Sequence, residues 1–303
     1  MGRTEYEFVI LAGNMQSMLG PLSKSLAIAS LVCMTMSLGL EVTWRQFLAL
    51  LRDKGLLCRV LAANLFLVPL LGLALAKIFH MPLDFAIAFL LLAAAPGAPM
   101  ALRYTRSGDD DAPLATALQL TLILAAICFT ALIAELILPV QTRLSVPYDR
   151  VAIDALLYMV FPGLIGITIQ RRSEEAVMIR KATFISARVF FLAWVILVTA
   201  EQSRAVRQLG IPTLAAMVFL IMGSMVIGWF LGGPQREKRR ILATGTSMRN
   251  VALCAVIAIE SFPGTKVDVA IVAFSALMVT PNSFLLFYEN YRKKRRRALG
   301  LGS

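Results

Sequence analysis

Apolar stretches long enough to cross a bilayer recur along this chain, separated by short loops that hold most of its charge. About nine such helices can be placed, near 20–40, 55–79, 83–103, 112–139, 150–170, 181–200, 211–231, 238–260 and 266–289. Residues 7–19 are too few to span alone and read as a short lead-in helix. Hydrophobic residues make up 58% of the 303, and charged residues only 16%, where a soluble domain carries about a quarter. Such a composition cannot supply the polar skin of a water-soluble enzyme. The expected fold is an all-α polytopic membrane protein.

The net charge of +12 could suggest nucleic acid, but the excess lies in loops flanking apolar stretches. That is the signature of membrane topology, so the bilayer is the expected partner and nucleic acid is not. With the N-terminus outside, the inner loops and the tail from Arg292 carry 20 Lys and Arg, against 8 at the outer side. The basic run 292–297 then reads as a cytoplasmic anchor, and the setting as a bacterial plasma membrane. Cys33, Cys58, Cys128 and Cys254 are far apart in apolar surroundings and suggest neither a disulfide framework nor a metal set. No cleavable signal peptide is expected, because Asn14, Gln16 and Ser17 interrupt the first apolar stretch.

Two of the stretches are interrupted. Pro96 and Pro99, around Gly97, remove amide donors from the third and clash with the preceding turn. The eighth carries the polar run Thr244, Gly245, Thr246, Ser247, Met248, Arg249, Asn250. Grouping the spans as four, one and four puts an interruption on the third helix of each group of four. Equivalent helices are then five spans apart and run in opposite directions, an inverted-topology repeat with both breaks near the midplane. The corresponding division is a lead-in at 1–19, a first repeat at 20–139, a linking span at 140–180, a second repeat at 181–289 and a basic tail at 290–303. Arg249 lies mid-span, where a permanent charge costs about 2.5–3.5 kcal/mol on insertion scales, so it is expected to have a partner. Arg188 also lies within a span, but close enough to the inner boundary to snorkel.

Four short motifs, in this order, resemble the bile acid:sodium symporter family from about residue 20 to 289. They are Met36-Ser37-Leu38-Gly39-Leu40-Glu41; Asn64 ahead of Val68-Pro69-Leu70; Ala95-Pro96-Gly97 followed by Ser107-Gly108-Asp109; and Met248-Arg249-Asn250-Val251-Ala252-Leu253. The resemblance implies a panel domain of outer helices and a core domain whose two broken helices cross near the midplane. It also implies transport of organic anions, usually with sodium, by alternating access. Several positions depart from the sodium-coupled pattern. Neither Ser nor Asn follows Gly97, where the chain reads Ala98-Pro99-Met100-Ala101-Leu102. The family's hydroxyl ligands match Leu122-Ile123-Leu124-Ala125-Ala126, its acidic residue Gly245 and its Gln Arg249. Sodium needs several oxygen ligands, and a fixed guanidinium repels it, so sodium coupling of the usual kind is not expected and no cofactor is.

The expected function is therefore secondary transport of a small organic anion. Candidate binding residues are Asn64, Pro96, Gly97, Pro99, Met100, Thr246, Ser247, Met248, Arg249 and Asn250. In one version Arg249 meets the substrate carboxylate, with Thr246, Ser247 and Asn250 adding hydrogen bonds and Met100 and Met248 an adaptable apolar wall. In the other, Arg249 replaces the missing cation inside the protein and the substrate sits elsewhere in the cleft. A channel shows no filter-forming ring here, and an enzyme would lack its nucleophile–base pair or metal ligands.

Overall fold

The structure, a computed structural model, describes residues 3–41, 52–105, 112–138, 148–172 and 175–298. Those residues form helices joined by short turns, without strands. The elements are α1 (Arg3–Gly39), α2 (Lys54–Ile78), α3 (Leu83–Ala94), α4 (Leu102–Thr105), α5 (Ala112–Ile137), α6 (148–172), α7 (Ala176–Glu201), α8 (Ser203–Gln208), α9 (Gly210–Leu231), α10 (Arg236–Ser247), α11 (Val251–Ser261) and α12 (Val267–Ala298). Six helical segments among the described residues are long and apolar enough to cross a membrane. Shorter apolar helices, Leu83–Ala94, Leu114–Thr130 and Ile153–Ile169, stand where three more spans are expected.

Both ends of the described chain are helical. The lead-in is no separate helix, since α1 runs unbroken from Arg3 through Pro21. The basic run 292–297 is likewise helical, because α12 continues to Ala298. Arg236 on α10 donates to Glu289 Oε1 at 2.9 Å and secures the last turns of α12. At the start of α2, Asp53 caps the Leu56 amide at 3.1 Å and pairs with Lys238 at 3.2 Å. Those two contacts hold its carboxyl below the usual range.

Proline shapes two helices in the same way. A π-turn at Ala63–Leu67 precedes Pro69, and another at Leu156–Val160 precedes Pro162. Proline cannot donate to the carbonyl four residues back, and a widened turn relieves the clash its ring would cause. In α2 the widened turn carries Asn64, which is fully buried.

Packing sorts the helices into two groups. α1 lies chiefly against α7 and α6, while α9 lies against α10 and α2 and α3 pack together beside α5 and α12. Gly39, Gly163 and Gly166 let α1 and α6 touch backbone to backbone, the small-residue contact that brings membrane helices close. The segment Arg236–Ser261, containing α10 and α11, has 100% of its apolar window buried, against 17% for α7. It is therefore enclosed by protein, the one setting in which a membrane helix tolerates broken backbone and polar side chains. Arg188, by contrast, is exposed on α7, its guanidinium 5.9 Å from the Phe184 ring centre.

Candidate functional site

The first interruption falls where the prolines require it. α3 ends at Ala94, Ala98 is extended, and a short 3-10 turn, Pro99–Ala101, leads into α4. Gly97 has φ 77°, in the left-handed region, and its Cα faces the backbone of Leu122 and Ile123 on α5. The second interruption is narrower than the polar run. Thr244 to Ser247 remain in the last turn of α10, and only residues 248–250 leave the helix before α11 begins at Val251. Asn250 then caps α11, its Oδ1 accepting the Leu253 amide at 3.1 Å. Removing that cap with Asn250→Ala is expected to cost about 1 kcal/mol of stability, read as a lowered melting temperature of the purified protein.

The two breaks meet. The Asn250 amide donates to Ala95 O at 3.0 Å, joining the unwound segments through their backbones. Arg249 is fully buried beside that bond. Its Nε donates to Leu92 O at 2.8 Å, and its Nη2 to Ala93 O. Nη1 donates to Asn64 Oδ1 at 2.9 Å and lies 3.4 Å from Thr246 O. Leu92 and Ala93 belong to the last turn of α3, and Thr246 to that of α10. Final-turn carbonyls have no helical partner and form the negative end of the helix dipole. Two half-helices thus aim their negative ends at one place, and that place holds a guanidinium.

Most of the sequence-derived candidates assemble around it. Asn64 Nδ2 donates to Thr246 Oγ1 at 3.2 Å, and Ser247 Oγ to Asn282 Oδ1 at 2.8 Å, so their oxygens are engaged within the protein. Met248 is fully buried, and Pro96 and Gly97 are buried at the first break. Pro99 and Met100 face away, into a cavity of about 460 Å³ shared with Met34, Glu41, Arg180 and Phe184. A larger cavity of about 1090 Å³ opens beside the middle of α1, at residues 20–24, where Lys24, Arg204 and Lys266 line it together with Glu201 and Asp268. The Ser107-Gly108-Asp109 motif lies outside the described residues.

Two buried polar residues escaped the sequence reading. Asn282 accepts from Ser247 and donates to Met278 O at 2.8 Å. Gln119 on α5 is fully buried with both amide atoms unpaired. A Cβ on Gly245 would lie 3.3 Å from Gln119 Nε2, so this neutral amide borders the position matched to the family's acidic residue. Each is the single amide side chain of its expected span, and that was the available signal.

An enclosed, interrupted helix meeting a second one inside an apolar helical protein defines an integral membrane protein of the transporter class. The model of the Sodium Bile acid symporter family matches residues 28–209, more than half the chain, and the chain belongs to that family. The match spans the first broken helix and ends before α10 and α11, which carry Arg249. No curated protein matches the chain.

Proposed function

We propose that this chain is a secondary transporter of a small organic anion, working by alternating access, in which Arg249 permanently occupies the place of a coupling cation. One observation carries this choice: the buried guanidinium spends its donors on Leu92 O, Ala93 O, Asn64 Oδ1 and Thr246 O. A substrate carboxylate at Arg249 would have to displace those acceptors, and the half-helix ends there are themselves negative. The substrate instead uses the cleft between α1 and α7 on one side and the broken helices on the other. α1, α6 and α7 then act as the panel, and the remaining spans as the core.

The two cavities support a cleft of this kind. One is lined by residues 20–24 of α1 and the other by residues 34–41, a separation of about 20 Å along a helix rising 1.5 Å per residue. Basic side chains outnumber acidic ones in both, Lys24, Arg204 and Lys266 against Glu201 and Asp268 in one and Arg180 and Lys181 against Glu41 in the other, a balance that favours an anion. The accompanying topology has about nine spans in two inverted groups of four, 20–139 and 181–289, joined by a fifth. The N-terminus is outside, the C-terminus is in the cytoplasm, and the membrane is a bacterial plasma membrane.

Uptake of labelled small carboxylates into proteoliposomes tests this directly. Saturable uptake is expected at the same rate whether the external cation is sodium or choline. Uptake that follows sodium concentration hyperbolically would overturn the role given to Arg249, and unsaturable flux would favour a channel.

A further inference from the structure

Carboxyl groups that face each other away from water need a proton between them. The Glu260 side chain, in the last turn of α11, is only 7% exposed, and its Oε1 lies 2.5 Å from Lys24 Nζ of α1. Asp154, on α6, is within side-chain hydrogen-bonding reach of Glu260. Yet Asp154 Oδ2 and Glu260 Oε2 are both buried, and neither finds a donor. Ionised carboxylates only accept hydrogen bonds, and two of them sharing one site cannot both remain charged. A single proton, held by one carboxyl and donated to the other, supplies the donor the pair lacks. With Lys24 it also makes the group of three electrically neutral.

The surrounding charges leave this arrangement intact. Among the described residues, Arg150 and Tyr158, also on α6, act on the cluster as well. On the α12 side, Asp268 accepts from Gln202 at 2.7 Å and Lys266 donates to Gln208 at 2.6 Å. From α3, Asp84 accepts the Lys266 amide at 3.3 Å. The location links this chemistry to movement. Lys24 and Asp154 lie on α1 and α6, in one helix group, and Glu260 lies in the other. Lys24, Ala258, Ile259 and Phe262 line the larger cavity, so the cluster borders water at one end of the cleft.

We propose that Asp154 and Glu260 form a proton-binding site that ties the two helix groups together, giving the proton the coupling role from which Arg249 excludes sodium. This rests on the alternating-access proposal above. With the proton bound, the carboxyl–carboxyl bond and the Lys24–Glu260 pair hold α1 and α6 against α11 at the edge of that cavity. When the proton leaves for the cavity water, two carboxylates share one lysine, and their repulsion across the interface opens it.

Two readouts on the full-length reconstituted protein test this without any substrate. Infrared titration should show a protonated-carboxyl band that disappears on raising the pH and is lost in both Glu260→Gln and Asp154→Asn. Absence of the band, or its survival in both variants, would overturn the site. For the coupling, Ala205→Cys places a thiol in the larger cavity, to be labelled by a membrane-impermeant maleimide over the background of the parent protein. Its labelling rate, divided by that of Ala205→Cys/Glu260→Gln at each pH, should rise with pH. A ratio that stays constant would overturn the coupling. Failure of either readout leaves the anion-transport proposal standing, and failure of anion uptake leaves the proton site standing.

Discussion

Arg249→Gln is expected to insert into the membrane normally and to melt well below the wild type. The substitution removes a donor from Leu92 O, Ala93 O and Asn64 Oδ1, of which Leu92 O keeps the Ala95 amide at 3.3 Å, in a region enclosed by protein. An acceptor left unsatisfied out of contact with water costs about 1–3 kcal/mol. Glutamine has the reach to restore one or two of these contacts, so a net loss on the order of 3 kcal/mol is expected. Arg249→Lys should fall between the two, because it keeps the charge but loses the planar fork that serves several acceptors at once. Thermal unfolding in detergent provides the measurement. A Gln variant that melts like the wild type but loses affinity for carboxylates would assign Arg249 to the substrate instead.

Gly97→Ala should be comparably damaging for a different reason. A Cβ there would fall 2.6 Å from both Ile123 N and Leu122 C, which are backbone atoms of α5 and cannot swing aside. The residue also has φ 77°, where an L side chain is strained. Overpacking and strain together suggest a loss on the order of 3 kcal/mol or more. Gly264 is the internal comparison, with φ 76° and nothing within 4 Å of the point a Cβ would occupy. Gly264→Ala should therefore cost only the backbone term, about 1–2 kcal/mol. The check is the yield of monodisperse protein and the melting temperature of the two variants side by side. Equal behaviour would mean that α5 does not press on the first break.

These two sites also show what the sequence could and could not convey. The apolar stretches were legible because their length is dictated by the bilayer, and the break at 95–99 because two prolines cannot both sit in a regular helix. The second break was legible only in outline. Polarity marked 244–250, yet Thr244 to Ser247 kept their helical bonds and only residues 248–250 unwound. That Arg249 needed a partner followed from the cost of its burial. The identity of the partners did not, since Leu92 O and Ala93 O are backbone atoms on another helix and no side chain announces them. Asn64, which the resemblance singled out, lies beside Arg249 and accepts from its Nη1 at 2.9 Å. Met100 was expected to form an apolar wall with Met248; it follows Pro99 in the 3-10 turn and lines the cavity that also holds Arg180 and Phe184, whereas Met248 is fully buried. Nothing in the sequence connects Asp154 with Glu260, which lie 106 positions apart on different apolar stretches.

The exchange of a cation for Arg249 is tested most directly by melting the wild type and Arg249→Gln in parallel while sodium replaces choline at constant ionic strength. If the guanidinium stands where a cation would bind, the wild type is indifferent to the exchange, and the variant, with Leu92 O, Ala93 O and Asn64 Oδ1 released, recovers part of its lost stability as sodium rises. Saturable stabilisation of the wild type by sodium would contradict it.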